Sequence, residues 1–379
     1  MTETAAADRT EWFRQDHFGM FIHYGTYALI AKGEWVKSFE HLDDAEYVQL
    51  AEHFNPDLFD AQAIAKLAKD AGQRYAVLTA KHHEGFCLWD TATTDYNIAK
   101  TRGRDLVREY VEALRAEGLR VGLYFSLLDW HHPDYIVDWS HPLAVDGADL
   151  AAINAGRDPE RFRAFMREQL RELLTGYGQI DYLFVDFTQP GPRRGMPGKT
   201  PEDWGAEELL AMCRELQPEM IVNDRFGLPA DLVTPEQYQP VRPLEVDGER
   251  VLWEACQTIN GSWGYDPSNL DDKSPRCWPA CWGRRCRWAE ICCSTSGRPR
   301  AVRSFPVMPT RCGRSANGCA AMATRSTGQV RRSSRRHREW STPRTATACS
   351  PMSTPGRSRR CTCRVSPTRS PSLGCSPTA

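Results

Sequence analysis

No stretch of this chain stays apolar for the roughly 18 residues that a membrane-spanning helix needs, which excludes a bundle of spanning helices. The opening stretch, MTETAAADRTEWFRQDH, has no apolar centre and no small-residue cleavage site. A secretory signal is therefore not legible, and a cytoplasmic location is the expectation. Positions 276–379 lack lysine and aspartate altogether and have one leucine, Leu373. The same 104 residues hold 21 arginines, two glutamates (Glu290 and Glu339) and 11 of the 14 cysteines, for a formal charge of +19. Residues 1–275 carry 27 basic against 47 acidic side chains, so the net charge of −1 over 379 residues averages two unlike parts. With so little aliphatic content the last part cannot bury a core, whereas the first 275 residues can. A secreted disulfide scaffold is excluded too, because the part able to fold holds few of the cysteines.

In residues 1–275, short apolar, β-branched and aromatic runs alternate with segments of helical period. The runs are 18–24 (FGMFIHY), 75–80 (YAVLTA), 121–126 (VGLYFS), 182–187 (YLFVDF), 220–223 (MIVN) and 251–255 (VLWEA). Their nearly continuous hydrophobicity is that of strands covered on both faces. Asp60 can cap a helix bearing Ile64, Leu67 and Ala68 on one face and stopping at Gly72. Asp105 can cap another that buries Leu106, Tyr110, Val111 and Leu114 and ends at Gly118. Phe162, Phe165, Met166, Leu170, Leu173 and Leu174 trace a third, closing at Gly176 and Gly178. Repeated strand–helix–strand units predict a parallel α/β fold. Polar residues at the carboxyl ends of all six runs favour a TIM-like (β/α) barrel with its chemistry on that rim. The alternative, an open doubly wound sheet, lacks a GxGxxG after its first strand.

The strand ends supply His23, then Lys81-His82-His83-Glu84, then Tyr124 leading to Asp129-Trp130. Asp186 ends the fourth, Asn223-Asp224-Arg225 the fifth, and Trp253-Glu254 sits in the sixth. Carboxylates, histidines, an arginine and many aromatics suit a neutral polyhydroxylated ligand, with rings on its C–H faces and polar groups on its hydroxyls. Asp186, an acid ending the apolar run Leu183-Phe184-Val185, either caps a loop or serves as a nucleophilic carboxylate against an anomeric carbon. Arg225 either pairs with an acid inside the barrel or bonds oxygens of the ligand. Adjacent histidines of an extended chain point to opposite sides, so one of His82 and His83 is expected in the pocket and the other on a neighbouring loop. With no third ligand at a sensible spacing, no metal is expected there, nor any other cofactor.

Longer strings carry a resemblance. WF-x4-FGMFIHYG from Trp12, GEW at 33–35, TAKHHEGFCLW at 79–89, GRDLV at 103–107 and GLYFSLLDW at 122–130 resemble the α-L-fucosidases of glycoside hydrolase family 29. So do YLFVDF, IVNDRFG at 221–227 and WEACQTINGSWGY at 253–265. The resemblance covers about residues 11–275. It implies a (β/α) barrel followed by a β-sandwich, no metal, and hydrolysis of terminal α-L-fucosides with retention through a fucosyl-aspartate. It implies Asp186 as the nucleophile, with His23, His82 and His83 on the sugar hydroxyls. Glu34, Trp35 and Tyr124 would share the pocket, Arg225 would meet the sugar oxygens, and Trp263 would cover the apolar face and 6-methyl group. For the acid/base it leaves two residues: Glu236, in the loop after Arg225, and Glu254. The partner implied is a fucosylated oligosaccharide or glycoconjugate, not nucleic acid or membrane. A related retaining glycosidase acting on α-L-galactosides and a non-catalytic carbohydrate-binding protein are the other readings.

For residues 276–379, the arginine run at 331–338 would fit nucleic acid, and the cysteines would fit zinc but for the missing CxxC pair and the single histidine, His337. A shifted reading frame fits better. Read one frame over, Cys277-Trp278, Cys281-Trp282 and Cys292-Cys293 must each encode leucine, Trp278-Pro279 alanine and Trp288-Ala289 glycine. The remaining codons allow GGNLLLNVG over 288–297, the strand the family has at this place. The expectation is therefore a catalytic barrel over 1–275, incomplete at its carboxyl end, followed by an out-of-frame, disordered tail with no recognisable sandwich. An uncovered sheet edge would leave the chain unstable and its activity impaired.

Overall fold

The computed structural model describes residues 3–16, 18–238, 240, 242–271, 273 and 291–295. Its strands are β1 (Phe18–Ile22), β2 (Tyr75–Lys81), β3 (Arg120–Ser126), β4 (Tyr182–Asp186), β5 (Ile221–Val222), β6 (Glu245–Val246), β7 (Glu249–Arg250), β8 (Glu254–Thr258) and β9 (Ile291–Thr295). β6 and β7 form an antiparallel hairpin of their own. The other seven lie in one sheet of order β5-β4-β3-β2-β1-β9-β8, every ladder parallel. A helix α1 (Glu3–Gln15) precedes β1, and helices cross over between the later strands, chiefly α2 (Ala61–Asp70), α3 (Leu106–Ala116), α4 (Pro159–Gly176) and α5 (Ala206–Leu216). Asp60 and Asp105 cap α2 and α3 as expected, each carboxylate accepting a backbone N–H three residues on.

The ring closes through an element too irregular to count as a strand. Residues 232–236 make parallel bridges to β5 on one side (Asn223 with Leu232) and to the β8 region on the other (Val233 with Trp253, Glu236 with Cys256). Val233 N–H donates to Leu252 and Glu254 N–H to Val233, both at 2.9 Å. This segment is a sixth stave, β8 the seventh and β9 the eighth, returning the sheet to β1. The fold is a TIM-like barrel.

Two expectations change here. The last legible strand was expected at 251–255, but the strand is Glu254–Thr258, which moves every side chain on it about one layer down the barrel. The expected open sheet edge is also occupied, since β9 pairs with both β1 and β8. With that edge filled, the barrel expected to be incomplete at its carboxyl end has its eighth stave; the expected disorder of the rest of the tail and the missing sandwich concern residues outside those described.

The period-2 alternation of the strands sorts their residues into two cores. Phe21, Tyr75, Val77, Tyr124, Tyr182, Phe184, Leu232 and Cys256 fill the barrel interior. Met20, Leu78, Leu123, Leu183 and Val185 face outward against the helices. Phe13 of α1 lies against the rings of Tyr75 and Tyr182, the first interior residues of β2 and β4, and so plugs the amino-terminal end. The carboxyl end stays open, and the inward parity continues into it: Phe21 to His23, Phe184 to Asp186, Leu232 to Glu236.

Candidate active site

A pocket of about 540 Å³, counting its open mouth, occupies the carboxyl rim, a size within the usual range for ligand clefts. His23, Glu34, Trp35, His82, His83, Tyr124, Asp186, Arg225, Glu236 and Trp263 all line it. These come from the ends of the first six staves and from two loops, one bearing Glu34 and Trp35 and the other Trp263.

Asp186 ends β4 with each carboxylate oxygen held. Tyr124 Oη donates to Oδ2 at 2.8 Å and Arg225 Nη1 to Oδ1 at 3.0 Å. Burial first, and then the charge of Asp186, keeps the Tyr124 phenol well above its ordinary range, so it remains a donor. Arg225 is delivered by a short 3-10 turn, Asp224–Phe226, directly after β5. That turn is pinned to β4 because the Asn223 side chain both accepts from Val185 N–H (3.0 Å) and donates to Val185 O (2.9 Å).

The second nitrogen of the same guanidinium, Nη2, donates to Glu236 Oε2 at 2.9 Å. One arginine fork thus spans two carboxylates from staves four and six. Burial acts to lower the guanidinium, but Asp186 and Glu236 outweigh it and raise the group above its ordinary value. Glu236 is the more exposed of the two acids, at 43% against 18%, and Trp263 Nε1 donates to its Oε1 at 3.1 Å. The residue after each acid is a non-glycine at positive φ, Phe187 at 88° and Gln237 at 59°. Such backbones cost about 1–3 kcal/mol each and persist only where surroundings enforce them. Here they turn the chain out of the stave directly after the carboxylate.

The profile of the alpha-L-fucosidase family matches residues 1–276. This chain belongs to that family. Among curated relatives, the tissue alpha-L-fucosidase of Rattus norvegicus is 29% identical over 279 residues, covering 67% of this chain and 55% of the relative. The plasma alpha-L-fucosidase of the same organism is 31% identical over 283 residues, covering 67% and 56%. The chain therefore spans little more than half the length of these relatives. Among solved structures, alpha-L-fucosidase isoenzyme 1 from Paenibacillus thiaminolyticus shares 41% identity at a TM-score of 0.71, over 77% of this chain and 70% of that one. A trapped covalent intermediate of a Bacteroides thetaiotaomicron alpha-L-fucosidase with 2-fluoro-fucosyl fluoride shares 28% at 0.64, over 76% and 69%.

Within this fucosidase-family barrel the three histidines are neutral. His23 and His83 are held down to about 3, by burial first and then by a neighbouring cation or imidazole, and His82 lies well below its ordinary value for the same reasons. Burial pushes Glu34 in the opposite direction, against the N–H of Gly264, which donates to its Oε2 at 2.5 Å. That bond ties the loop bearing Trp263 to the loop bearing Glu34 and Trp35. A Cβ on Gly264 would come within 2.6 Å of Glu34 N, so only glycine fits at this crossing.

Both members of the His82-His83 pair line the pocket, as the family resemblance implied, whereas strict alternation along the strand would have turned one away. The register of β2 against β3 slips between Thr79 and Lys81, and the chain leaves the sheet at His82. Strict alternation ends there, and the two rings sit 4.1 Å apart, centroid to centroid. Glu254 is not in the pocket. As the first residue of β8 it lies one interior layer below Cys256, fully buried, accepting from Tyr75 Oη (2.7 Å) and Tyr182 Oη (2.6 Å). Gln189, Phe187 and Cys256 line the pocket although the sequence reading did not single them out. Counting two residues on from Glu254 would have found Cys256, had the true start of β8 been legible. Among the described residues no group of three or more His, Cys, Asp or Glu is placed to hold a metal, and no helix is long and apolar enough to cross a membrane.

Proposed function

We propose that this chain is a retaining exo-α-L-fucosidase in which Asp186 is the nucleophile and Glu236 the acid/base. The observation that carries the reading is the single Arg225 fork holding both carboxylates over a pocket of neutral histidines. Retaining glycosidases need two close carboxylates, one fixed and one able to reach the leaving group. Asp186 is the fixed one and Glu236, half exposed at the mouth, the reaching one. In the first displacement an Asp186 oxygen bonds the anomeric carbon as the glycosidic C–O bond breaks, and the Glu236 proton passes to the departing oxygen. In the second, the Glu236 carboxylate takes a proton from water, whose oxygen bonds the anomeric carbon while Asp186 leaves.

Uncharged imidazoles suit a neutral sugar, since each offers a donor or an acceptor without demanding a counter-charge. Trp263, stacked near His23 and Phe21, supplies an apolar wall for a 6-methyl group, which favours a fucoside over an α-L-galactoside. The substrate class is a fucosylated oligosaccharide or glycoconjugate. Asp186→Ala should lose several orders of magnitude in turnover of an aryl α-L-fucoside while the protein stays folded. Near-normal turnover by a folded variant rejects the assignment.

We also propose that residues after about 275 are encoded out of frame, on the strength of the abrupt change to arginine, cysteine, serine and proline and of the leucines and glycines that the shifted codons restore. Resequencing the gene across the codon for Pro275 decides it: an inserted or deleted base supports the proposal, an intact single frame overturns it.

A further inference from the structure

The two adjacent histidines of the pocket differ in what stands behind them. His83 Nδ1 is 2.7 Å from Ser126 Oγ, and the Ser126 hydroxyl spends its one proton on Leu128 O at 2.8 Å. All three groups are satisfied only if His83 Nδ1 carries a proton and donates it to Ser126. His83 Nε2, 3.9 Å from Asp186 Oδ2, is then a bare lone pair.

His82 has no such partner. Its Nδ1 faces Glu84 Oε2 at 3.7 Å, and neither atom has a hydrogen-bond partner among the described residues. Glu84 is 1% exposed; its carboxyl is held by its own backbone N–H and by a long bond, 3.4 Å, from Thr26 Oγ1 to the other oxygen. The hydroxyls of Tyr27, Tyr47 and Tyr96 around it have no hydrogen-bond partner within 3.5 Å among the described residues. Lys37, the lysine whose charge acts on Glu84, is committed to Asp44 at 2.6 Å, and Asp129 adds repulsion from the β3 side. An ionised Glu84 would be a buried charge with no counter-ion, which is costly. A protonated Glu84 is a donor facing the one unpaired acceptor available on His82.

We propose, building on the fucosidase reading, that Glu84 and Ser126 fix these neighbouring histidines in opposite tautomers, so that His82 presents an Nε2–H donor and His83 an Nε2 acceptor to adjacent hydroxyls of the sugar. Glu84 and Ser126 are positioning residues; neither lines the pocket. A hydroxyl is both donor and acceptor, and a donor–acceptor pair set 4.1 Å apart, ring to ring, reads two neighbouring hydroxyls in a fixed sense. Burial pushes the Glu84 carboxyl up to about 8, so the His82 donor is secure at neutral pH and is lost as the pH rises beyond that.

The test is nitrogen-15 histidine NMR on the full 379-residue chain, with Glu84→Gln and Ser126→Ala used for assignment. The proposal predicts Nε2–H for His82 and Nδ1–H for His83 at pH 7, with His82 alone changing its pattern between pH 7 and pH 9.5. Glu84→Gln, whose amide donates without ionising, should abolish that change. In turnover of a dinitrophenyl fucoside, whose leaving group needs no proton from Glu236, KM of the parent chain should rise severalfold over the same pH range with kcat little altered, and the variant's KM should stay flat. Like tautomers on both rings, or Nδ1–H on His82 at pH 7, overturns the proposal. Because the tautomers are read without substrate, inactivity toward fucosides would reject the functional reading and leave this inference to stand or fall on the spectra.

Discussion

At the scale of single residues the decisive contrast is between two glutamates that the sequence left as rivals. Both point into the barrel, yet Glu236 ends its stave at the open mouth and Glu254 begins its own one layer down. Glu236→Ala should therefore cripple hydrolysis of fucosides with poor leaving groups far more than that of a dinitrophenyl fucoside, which departs without a proton. Glu254→Ala should show no such dependence on the leaving group but lose about 2–4 kcal/mol of stability, because two buried tyrosine hydroxyls lose their acceptor. Urea unfolding and a leaving-group series on both variants check this; the opposite assignment of effects would restore Glu254 to the chemistry.

The histidines give a second expectation. His23 and His83 fall from 6.5 to about 3 on folding, so between those values the unfolded chain binds protons that the native barrel refuses. Their contribution to stability is complete above about pH 6.5 and drains away as the pH falls toward 3. From pH 7.5 to 5 each histidine should cost about 2 kcal/mol. A His23→Gln variant, unable to take up that proton, should show a correspondingly smaller drop in its urea midpoint. An equal drop in both proteins contradicts the burial of a neutral imidazole. Site residues after an apolar run, such as His23 and Asp186, were legible because the inward parity of a strand survives in the sequence. Glu254 misled because nothing local marks where β8 starts; the second pocket histidine was reached through the family strings and not through strand parity, because a slip in strand register leaves no mark in composition.

At the scale of elements, the sixth stave shows why sequence reading found six runs and missed this one. Residues 232–236, LVTPE, offer little apolar content and a proline, and their pairing is a set of isolated bridges. What holds the stave is polar. Asp231, almost fully buried, accepts from Val222 N–H at 2.8 Å and from Arg214 at 2.5 Å, with Arg9 of α1 at 3.7 Å. Gln237 at the far end bonds Thr258 of β8. Asp231→Ala should cost about 3 kcal/mol by leaving two guanidinium groups and a strand N–H without their acceptor. By loosening the stave it should also lower kcat more than it raises KM, since Glu236 rides on it. Chemical denaturation and steady-state kinetics measure both; an unchanged kcat would mean that Glu236 is placed by Arg225 and Trp263 alone. The strongly periodic helices were easier to read, for their caps, apolar faces and stops are all local signals.

At the scale of the whole molecule, a closed ring of staves sets six stave ends and two loops around one pocket, and the parallel ladders give the stave ends the same carboxyl-end address. The barrel was legible because its repeat is written many times over in residues 1–275. The eighth position was not, because β9 lies in a stretch whose composition argues against any strand, yet Ile291–Thr295 still pairs on both sides. The account as a whole rests on Asp186 forming a transient ester with the sugar. Incubating the 379-residue chain with 2-fluoro-fucosyl fluoride and mapping its peptides by mass spectrometry tests this most directly. One fluorofucosyl group on Asp186, absent from Asp186→Ala, is the result expected; a label on another side chain, or none on a folded protein, would contradict it.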